Sequence, residues 1–318
     1  MNRNPTIDIL LATYNGGRYL SEQIQSLLDQ TYTRWRLLIR DDGSTDDTLS
    51  VIHLFRERYP EKITLIEDGE ASLGACRNFA RLLEHADAEY TMFCDQDDVW
   101  LPAKIAVTLG KMGELVAKYG DDVPLLVYTD MHVVDETLSV ISKSFWRNQE
   151  FNPKIGKSLG RFLVSNVATG CTVMINKKLR DLSVPVPPEA MMHDWWVGLI
   201  SVALGKNDYV PEPTMLYRQH VSNAVGAKWD ASLKAIIEKV SDFSNLKRVN
   251  AAHLLRTQEQ AKAFAARYRH FLSTEQLAKV TAYAELDSKN FIGKRIAIVR
   301  YGFWWAGFLR SFTMFVII

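Results

Sequence analysis

The stretch Ile7-Asp8-Ile9-Leu10-Leu11-Ala12-Thr13-Tyr14-Asn15-Gly16-Gly17 decides the fold. A short apolar run ends on polar residues and breaks at two glycines. From Tyr19 to Leu28, apolar Leu20, Ile24, Leu27 and Leu28 then recur at helical spacing. Strand, turn and helix in that order form the unit of a mostly parallel α/β sheet. The unit repeats outward. Strands are predicted at Trp35–Ile39, Ile63–Ile66, Tyr90–Cys94 and Leu125–Tyr128, with helices at Leu49–Tyr59, at Ala75–His85 and from Pro102 towards Tyr119. Further strands are expected near Val140–Phe145 and Cys171–Ile175, and a helix at Trp195–Leu204 with Asp194 ahead of it. After Gly226 only helical patterns follow, one of them opened by the capping box Ser273-Thr274-Glu275-Gln276. The expected division is therefore an α/β domain over 1–226 and a helical, basic extension over 227–318.

The composition of the 318 residues, 47% hydrophobic and 24% charged, excludes a disordered or low-complexity chain. A net charge of +1 gives no reason to expect nucleic acid. The charge is uneven, however: residues 227–318 hold 15 basic and 7 acidic side chains, net +8, which leaves the first 226 residues at net −7. Three cysteines, Cys76, Cys94 and Cys171, have neither disulfide nor metal spacing and favour a reducing compartment. The N-terminal apolar run is short, contains Asp8 and reads as a strand rather than a signal peptide.

Open α/β sheets bind ligands beyond the carboxyl ends of their strands. Three polar clusters fall there: Thr13-Tyr14-Asn15, Asp41-Asp42-Gly43-Ser44 and Asp95-Gln96-Asp97-Asp98. Carboxylates at Asp95 and Asp97 suit one hard divalent cation, Mg²⁺ or Mn²⁺, and equally suit a solvated acidic loop ahead of a helix. In the second cluster Ser44 or Thr45 reads as a helix cap, while an aspartate there suits the imide of a nucleobase. His193-Asp194 reads either as a helix cap or as a general base flanked by Trp195 and Trp196, whose rings would stack on a sugar. Arg218 and His220 either meet phosphate or metal, or tie the end of the body to its core. No Walker loop, GxGxxG, HExxH or GxSxG motif occurs, so phosphate binding must be led by a metal.

In this order the segments Leu11–Gly16, Ser26–Tyr32, Arg40–Thr48, Gly74…Asn78 and Asp95–Trp100 resemble a family 2 glycosyltransferase with the GT-A fold. The resemblance covers about the first 225 residues. Within that family, Asp95–Trp100, Ala168–Cys171, Met192–Trp196 and Tyr217–His220 resemble bacterial rhamnosyltransferases of surface-polysaccharide assembly, such as O-antigen. The resemblance implies that Tyr14 and Asp42 hold the base, with Thr13, Asn15, Arg77, Asn78, Gly170, Trp195 and Arg218 around the donor. It implies a metal at Asp95 and Asp97, with His220 beside them, and makes Asp194 the base of an inverting transfer. The donor would be dTDP-L-rhamnose, or else a UDP-hexose, and the acceptor a lipid-linked oligosaccharide. The Gln-x-x-Arg-Trp signature of processive synthases is absent. A Mg²⁺-dependent nucleotidyltransferase and a non-catalytic nucleotide-sugar sensor are the other classes that fit an acidic α/β site.

From Lys289 to Arg310, basic residues alternate with Phe291, Tyr301, Phe303, Trp304, Trp305 and Phe308. This mixture predicts either packing against the body or contact with an anionic membrane surface. The corresponding location is cytoplasmic, peripheral on the inner face of the cell membrane, with a helix break near Gly302.

Overall fold

Strand β1, Ile7–Thr13, carries apolar side chains on both faces because both faces are covered. Ile7, Ile9 and Leu11 enter one core, with Leu20, Ile24 and Leu27 of helix α1 (Gly17–Leu28), Ile52 of α2 (Thr48–Arg58) and Met112 of α4 (Lys104–Tyr119). Leu10 enters the opposite core with Phe79, Leu82 and Leu83 of α3 (Ala75–His85). Strands β2 (Trp35–Asp41) and β4 (Tyr90–Cys94) alternate in the same way. The computed structural model describes residues 4–220 and 243–305, together with Phe315.

The remaining strands are β3 (Ile63–Leu65), β5 (Val99–Trp100), β6 (Leu125–Val134), β7 (Val140–Ser142), β8 (Val173–Asn176) and β9 (Lys206–Arg218). Among the described residues they form one sheet in the order β3-β2-β1-β4-β8-β6-β9-β5, with β7 on the side of β6. The strands β3, β2, β1 and β4 run parallel, as do β6 and β9; β8 is antiparallel to both its neighbours. Parallel pairing puts Thr13 level with Asp41, and Leu11 level with Cys94, so the three polar clusters emerge along one edge.

Several expectations change. No strand is expected over Lys206–Arg218, where Pro211 and Pro213 interrupt the apolar pattern. The structure absorbs them where the β6–β9 register shifts, as a proline without an N–H requires. The expected strand to Phe145 stops at Ser142, and Phe145 opens a short helix, α5 (Phe145–Asn148). Residues Gly170–Thr172 form a 3₁₀ turn ahead of β8 rather than its start. Neither Ser44 nor Thr45 caps α2: Ser44 Oγ donates to Asp41 Oδ1 at 2.6 Å, while Asp46 Oδ1 accepts from Thr48 N. Asp194 is no N-cap either, since α8 (His193–Leu204) begins one residue before it.

Helix α8 is apolar almost all round because it is covered twice. One side meets the sheet, and the other meets α6 (Leu159–Val164) and α9 (Phe243–Tyr268). Trp196 packs against Phe264 and Tyr268, and Trp195 Nε1 donates to Phe162 O at 2.7 Å. Helix α10 (Thr274–Ala284) opens with the predicted capping box, and Gln276 also donates to Ala203 O at the end of α8. Helix α11 (Phe291–Tyr301) stops at Gly302 in a left-handed conformation. Phe303 beyond it is buried against Tyr283. The helices after residue 243 thus share the core that holds α3 and α8.

Gly160 of α6 lies against α11: a Cβ there would come within 2.1 Å of Tyr301 O, a backbone atom. Gly160→Ala should therefore lower stability by about 1–3 kcal/mol, the usual cost of overpacking. Gly110→Ala, in open space on α4, should raise it by about 0.5–1 kcal/mol through helix propensity. Urea unfolding of the two variants checks both signs.

Candidate active site

The ends of β1, β2 and β4 are stitched together by side chains. Thr13 Oγ1 donates to Asp41 Oδ1 at 2.7 Å, and the same carboxylate accepts from Gly43 N and Ser44 N. Asn15 takes a positive φ of 48°; its Oδ1 accepts from Thr45 N, and its own N–H donates to Ser44 Oγ. Asp42 accepts from Leu73 N and Gly74 N at 2.9 and 2.7 Å, which fixes the loop that leads into α3. The two aspartates ahead of Gly43 therefore have different tasks, one closing its own turn and the other holding a distant loop.

Arg40, at the end of β2, is 1% exposed and was not singled out by the sequence. Its guanidinium pairs bidentately with Asp68 at 2.9 Å and reaches Glu70 O, Asp42 Oδ1 and Asn78 Oδ1. These bonds hold the Asp68 carboxyl down at about 2. Asn78 spends its amide on Thr13 O and Arg40 O, so it braces the pocket from within. Arg77 beside it is exposed, and the Tyr14 ring is 55% exposed, open to a stacked partner.

The acidic turn after β4 is locked from both sides. Gln96 bridges to the backbone of Tyr14, accepting from its N–H at 2.8 Å and donating to its carbonyl at 3.0 Å. A Cβ at Gly16 would come within 2.2 Å of the Gln96 amide, so a larger residue there would displace this bridge. Sequence reasoning missed Gln96, although its place between two aspartates was a signal. Asp98 Oδ1 accepts from Arg218 N at 3.0 Å, while its buried Oδ2 has no hydrogen-bond partner. The Arg218 side chain donates to Asp97 O, Glu136 O and Glu22, and stacks over Tyr19. It is a buried tie for the turn. His220 Nε2 lies 2.8 Å from Asp97 Oδ2, which joins two of the predicted metal residues.

Burial, then Asp97, then Asp194 push the Asp95 carboxyl up to about 7. The liganding atoms of Asp95, Asp98 and Cys171 lie within 4.8 Å of one another. Cys171 is no natural partner for a hard cation: burial holds its thiol well above the usual range, and it hydrogen-bonds Asp95. The crowded carboxylates and the orphaned Asp98 oxygen fit a divalent cation.

Asp194 comes from the other side, at the start of α8. Its Oδ2 accepts from Gly170 N at 2.8 Å, and burial pushes it up to about 6. Gly170 permits this approach, because a Cβ would sit 3.3 Å from Asp194 Oδ2 and 3.1 Å from His193 Nε2. Trp195 and Trp196 are buried in the core, so neither indole offers a face to a sugar, contrary to the sequence reading. Tyr14 is the open ring instead.

The sequence model of Glycosyl transferase family 2 matches residues 8–182. The chain is 28% identical over 246 residues to the dTDP-rhamnosyl transferase RfbG of Shigella flexneri, covering 74% of this chain and 79% of that protein. Over 106 residues it is 33% identical to an Escherichia coli protein, the UDP-Glc:alpha-D-GlcNAc-diphosphoundecaprenol beta-1,3-glucosyltransferase WfgD, covering 33% of this chain and 40% of WfgD. A solved mannosyltransferase from Pyrobaculum calidifontis, PcManGT in complex with GDP-Man and Mn²⁺, superposes with a TM-score of 0.54 at 15% identity, covering 99% of this chain and 84% of that one. The fold is GT-A.

Arg40 is the buried cation on which the β2 end depends. Arg40→Met should lower stability by about 3–5 kcal/mol, the loss typical of one partner removed from a buried ion pair. Urea unfolding measures this, and a loss below about 1 kcal/mol would place the pair among those of little consequence.

Proposed function

This chain belongs to glycosyl transferase family 2 and moves a sugar from a nucleotide donor, and we propose that the transfer is metal-dependent, inverts the anomeric carbon and delivers L-rhamnose from dTDP-L-rhamnose. The observation that carries the reading is the approach of two carboxylates from separate elements, one half-buried and one buried. Asp95 stands at the end of β4 and Asp194 at the start of α8, near enough for the charge of Asp194 to raise Asp95. One belongs to the leaving group's side and the other to the acceptor's.

Tyr14 would stack on the base, and Asp42 Oδ2, with one donor already bound, retains a lone pair for an imide N–H. Thr13, Asn15 and Asn78 hold that pocket in shape, and Arg77 lies at its rim. Asp95 and Asp97, with His220, would hold Mg²⁺ or Mn²⁺. When bound, that cation supplies charge neutralisation for the departing nucleoside diphosphate. Asp194 takes the proton of the acceptor hydroxyl as its oxygen forms the new bond to the anomeric carbon. The bond from that carbon to the diphosphate breaks on the opposite face, and the electron pair leaves with the diphosphate. A single displacement inverts the centre.

Likeness to RfbG supports the rhamnosyl donor, while likeness to WfgD supports a UDP-hexose as its competitor. WfgD's printed acceptor, a diphosphoundecaprenol, likewise supports a lipid-linked precursor of surface polysaccharide here, met at the cytoplasmic face of the membrane. Among the described residues no helix is long and apolar enough to cross a membrane, so contact would be peripheral.

Release of nucleoside diphosphate from dTDP-L-rhamnose and UDP-glucose, with Mn²⁺ or with chelator, tests donor and metal together. Asp97→Asn should remove the metal-dependent turnover, and full activity in chelator would end the metal assignment. Asp194→Asn should lower kcat by ~10²–10⁴ with donor KM little changed, as expected for a lost general base. Because burial raises Asp194 to about 6, its basic form grows as pH rises. Wild-type kcat should climb through that region and level above it.

A further inference from the structure

Helix α11 points its apolar side outward. Phe291, Ile292, Ile296 and Val299 are between 59% and 67% exposed, while Ala297 and Ile298 on the opposite side are buried. At about 100° per residue the four exposed side chains share one face, with Arg295 among them and Arg300 at its edge. The Arg295 guanidinium lies over the Phe291 ring, 3.3 Å from its centroid, and near Phe315 at 5.6 Å. No residue of α11 is acidic. Soluble helices present the reverse arrangement, apolar inward and charge outward.

The helix cannot roll over to hide this face. Asn290 caps its start by accepting from Gly293 N, Lys294 pairs with Asp287, and Gly302 ends it with Phe303 inserted into the core beside Tyr283. Tyr301 O closes on Gly160 of α6. The apolar face is therefore a fixed feature of the surface.

We propose that the outward face of α11 docks on the headgroup layer of an anionic bilayer, with Phe291, Ile292, Ile296 and Val299 entering the acyl boundary and Arg295 and Arg300 meeting lipid phosphates. The charge decides between occupants. A second copy joined by the same face around a two-fold axis would gather four arginines into one seam with no acidic residue of α11 to answer them, whereas an anionic lipid surface complements them. A cation beside apolar and aromatic side chains is the composition of an interfacial helix. The consequence reaches the active site through α6, which touches Tyr301 of α11 at Gly160 and receives the Trp195 indole N–H at Phe162 O, next to Asp194. Docking by α11 would thus fix how Asp194 stands over the membrane. This deepens the proposed use of a lipid-linked acceptor and rests on that reading for its purpose, not for its geometry.

The test is flotation of the full chain with vesicles of phosphatidylcholine, alone or mixed with phosphatidylglycerol. Wild type should float with the mixed vesicles and remain in the dense fraction with the neutral ones. Ile292→Glu/Ile296→Glu, at exposed positions, should bind mixed vesicles at least about tenfold more weakly. Arg300→Glu should weaken binding about fivefold or more. Donor turnover without vesicles should equal wild type in both variants, which separates failure of docking from failure of the catalytic reading. Equal flotation of wild type and variants overturns the proposal, as does a wild type that never floats. A concentration-dependent dimer that the double glutamate variant dissolves would give the face to a second copy instead.

Discussion

One buried guanidinium organises the loops at the carboxyl end of β2. Arg40 has five N–H groups, and bonds to Asp68, Glu70 O, Asp42 and Asn78 use all of them. The partners belong to three different pieces of chain: the loop after β3, the turn after β2 and the first turns of α3. Parallel strands end in loops with no ladder to hold them, so a pocket at strand ends needs such a tie. A lysine could not replace it, because a single ammonium has three donors and no planar fork for Asp68. The exposed Tyr14 ring stands above a base that this network has already made rigid.

The acidic turn after β4 follows the opposite logic, with charge of one sign collected and left incompletely answered. Asp98 is buried and pushed well above the usual carboxylate range by burial, then by Asp97 and Asp95. Lys104 is buried as well, and burial pushes it down to about 8; its ammonium donates to Thr214 Oγ1 and Met215 Sδ and lies over the Trp100 ring. A lysine at the first turn of a helix also stands at the wrong end of the dipole. Its position makes sense only in the field of the aspartates. Even so, one ammonium and the Arg218 tie do not match three carboxylates, and the excess is what a divalent cation would neutralise.

The parallel half of the sheet was legible in the sequence because burial on both faces produces uninterrupted apolar runs. Tyr90–Cys94 coincides with the observed strand for that reason, and Ala75–His85 with the observed helix through the helical spacing of its apolar residues. Strand β9 was not legible: prolines at a bulge look the same as prolines in a loop. At the site, the strand-end position of Tyr14, Asp42, Asp95 and Asp97 could be read from pattern alone. What could not be read is which polar groups face outward. Arg40 and Gln96 have the residue types of surface side chains, and their partners lie 28 and 82 positions away. Trp195 and Trp196 erred the other way, because an indole beside a candidate base suggests a sugar platform until α9 is known to cover it. Arg310 and Phe308 lie outside the described residues.

His193 shows how the fold keeps the surroundings of Asp194 simple. Its ring is stacked on Phe79 at 4.0 Å and lies 4.7 Å from Phe93, with neither nitrogen hydrogen-bonded. Burial holds it down at about 3, so it is neutral wherever Asp194, pushed up to about 6, is ionised. An acid at this position would have added a second negative charge beside Asp194 and raised both carboxyls further. A charged imidazole would have lowered the basicity of Asp194. A neutral ring does neither. It fills the gap between α3 and β4 and places the next residue against Gly170, leaving a single carboxylate, Asp194, at this point of the fold.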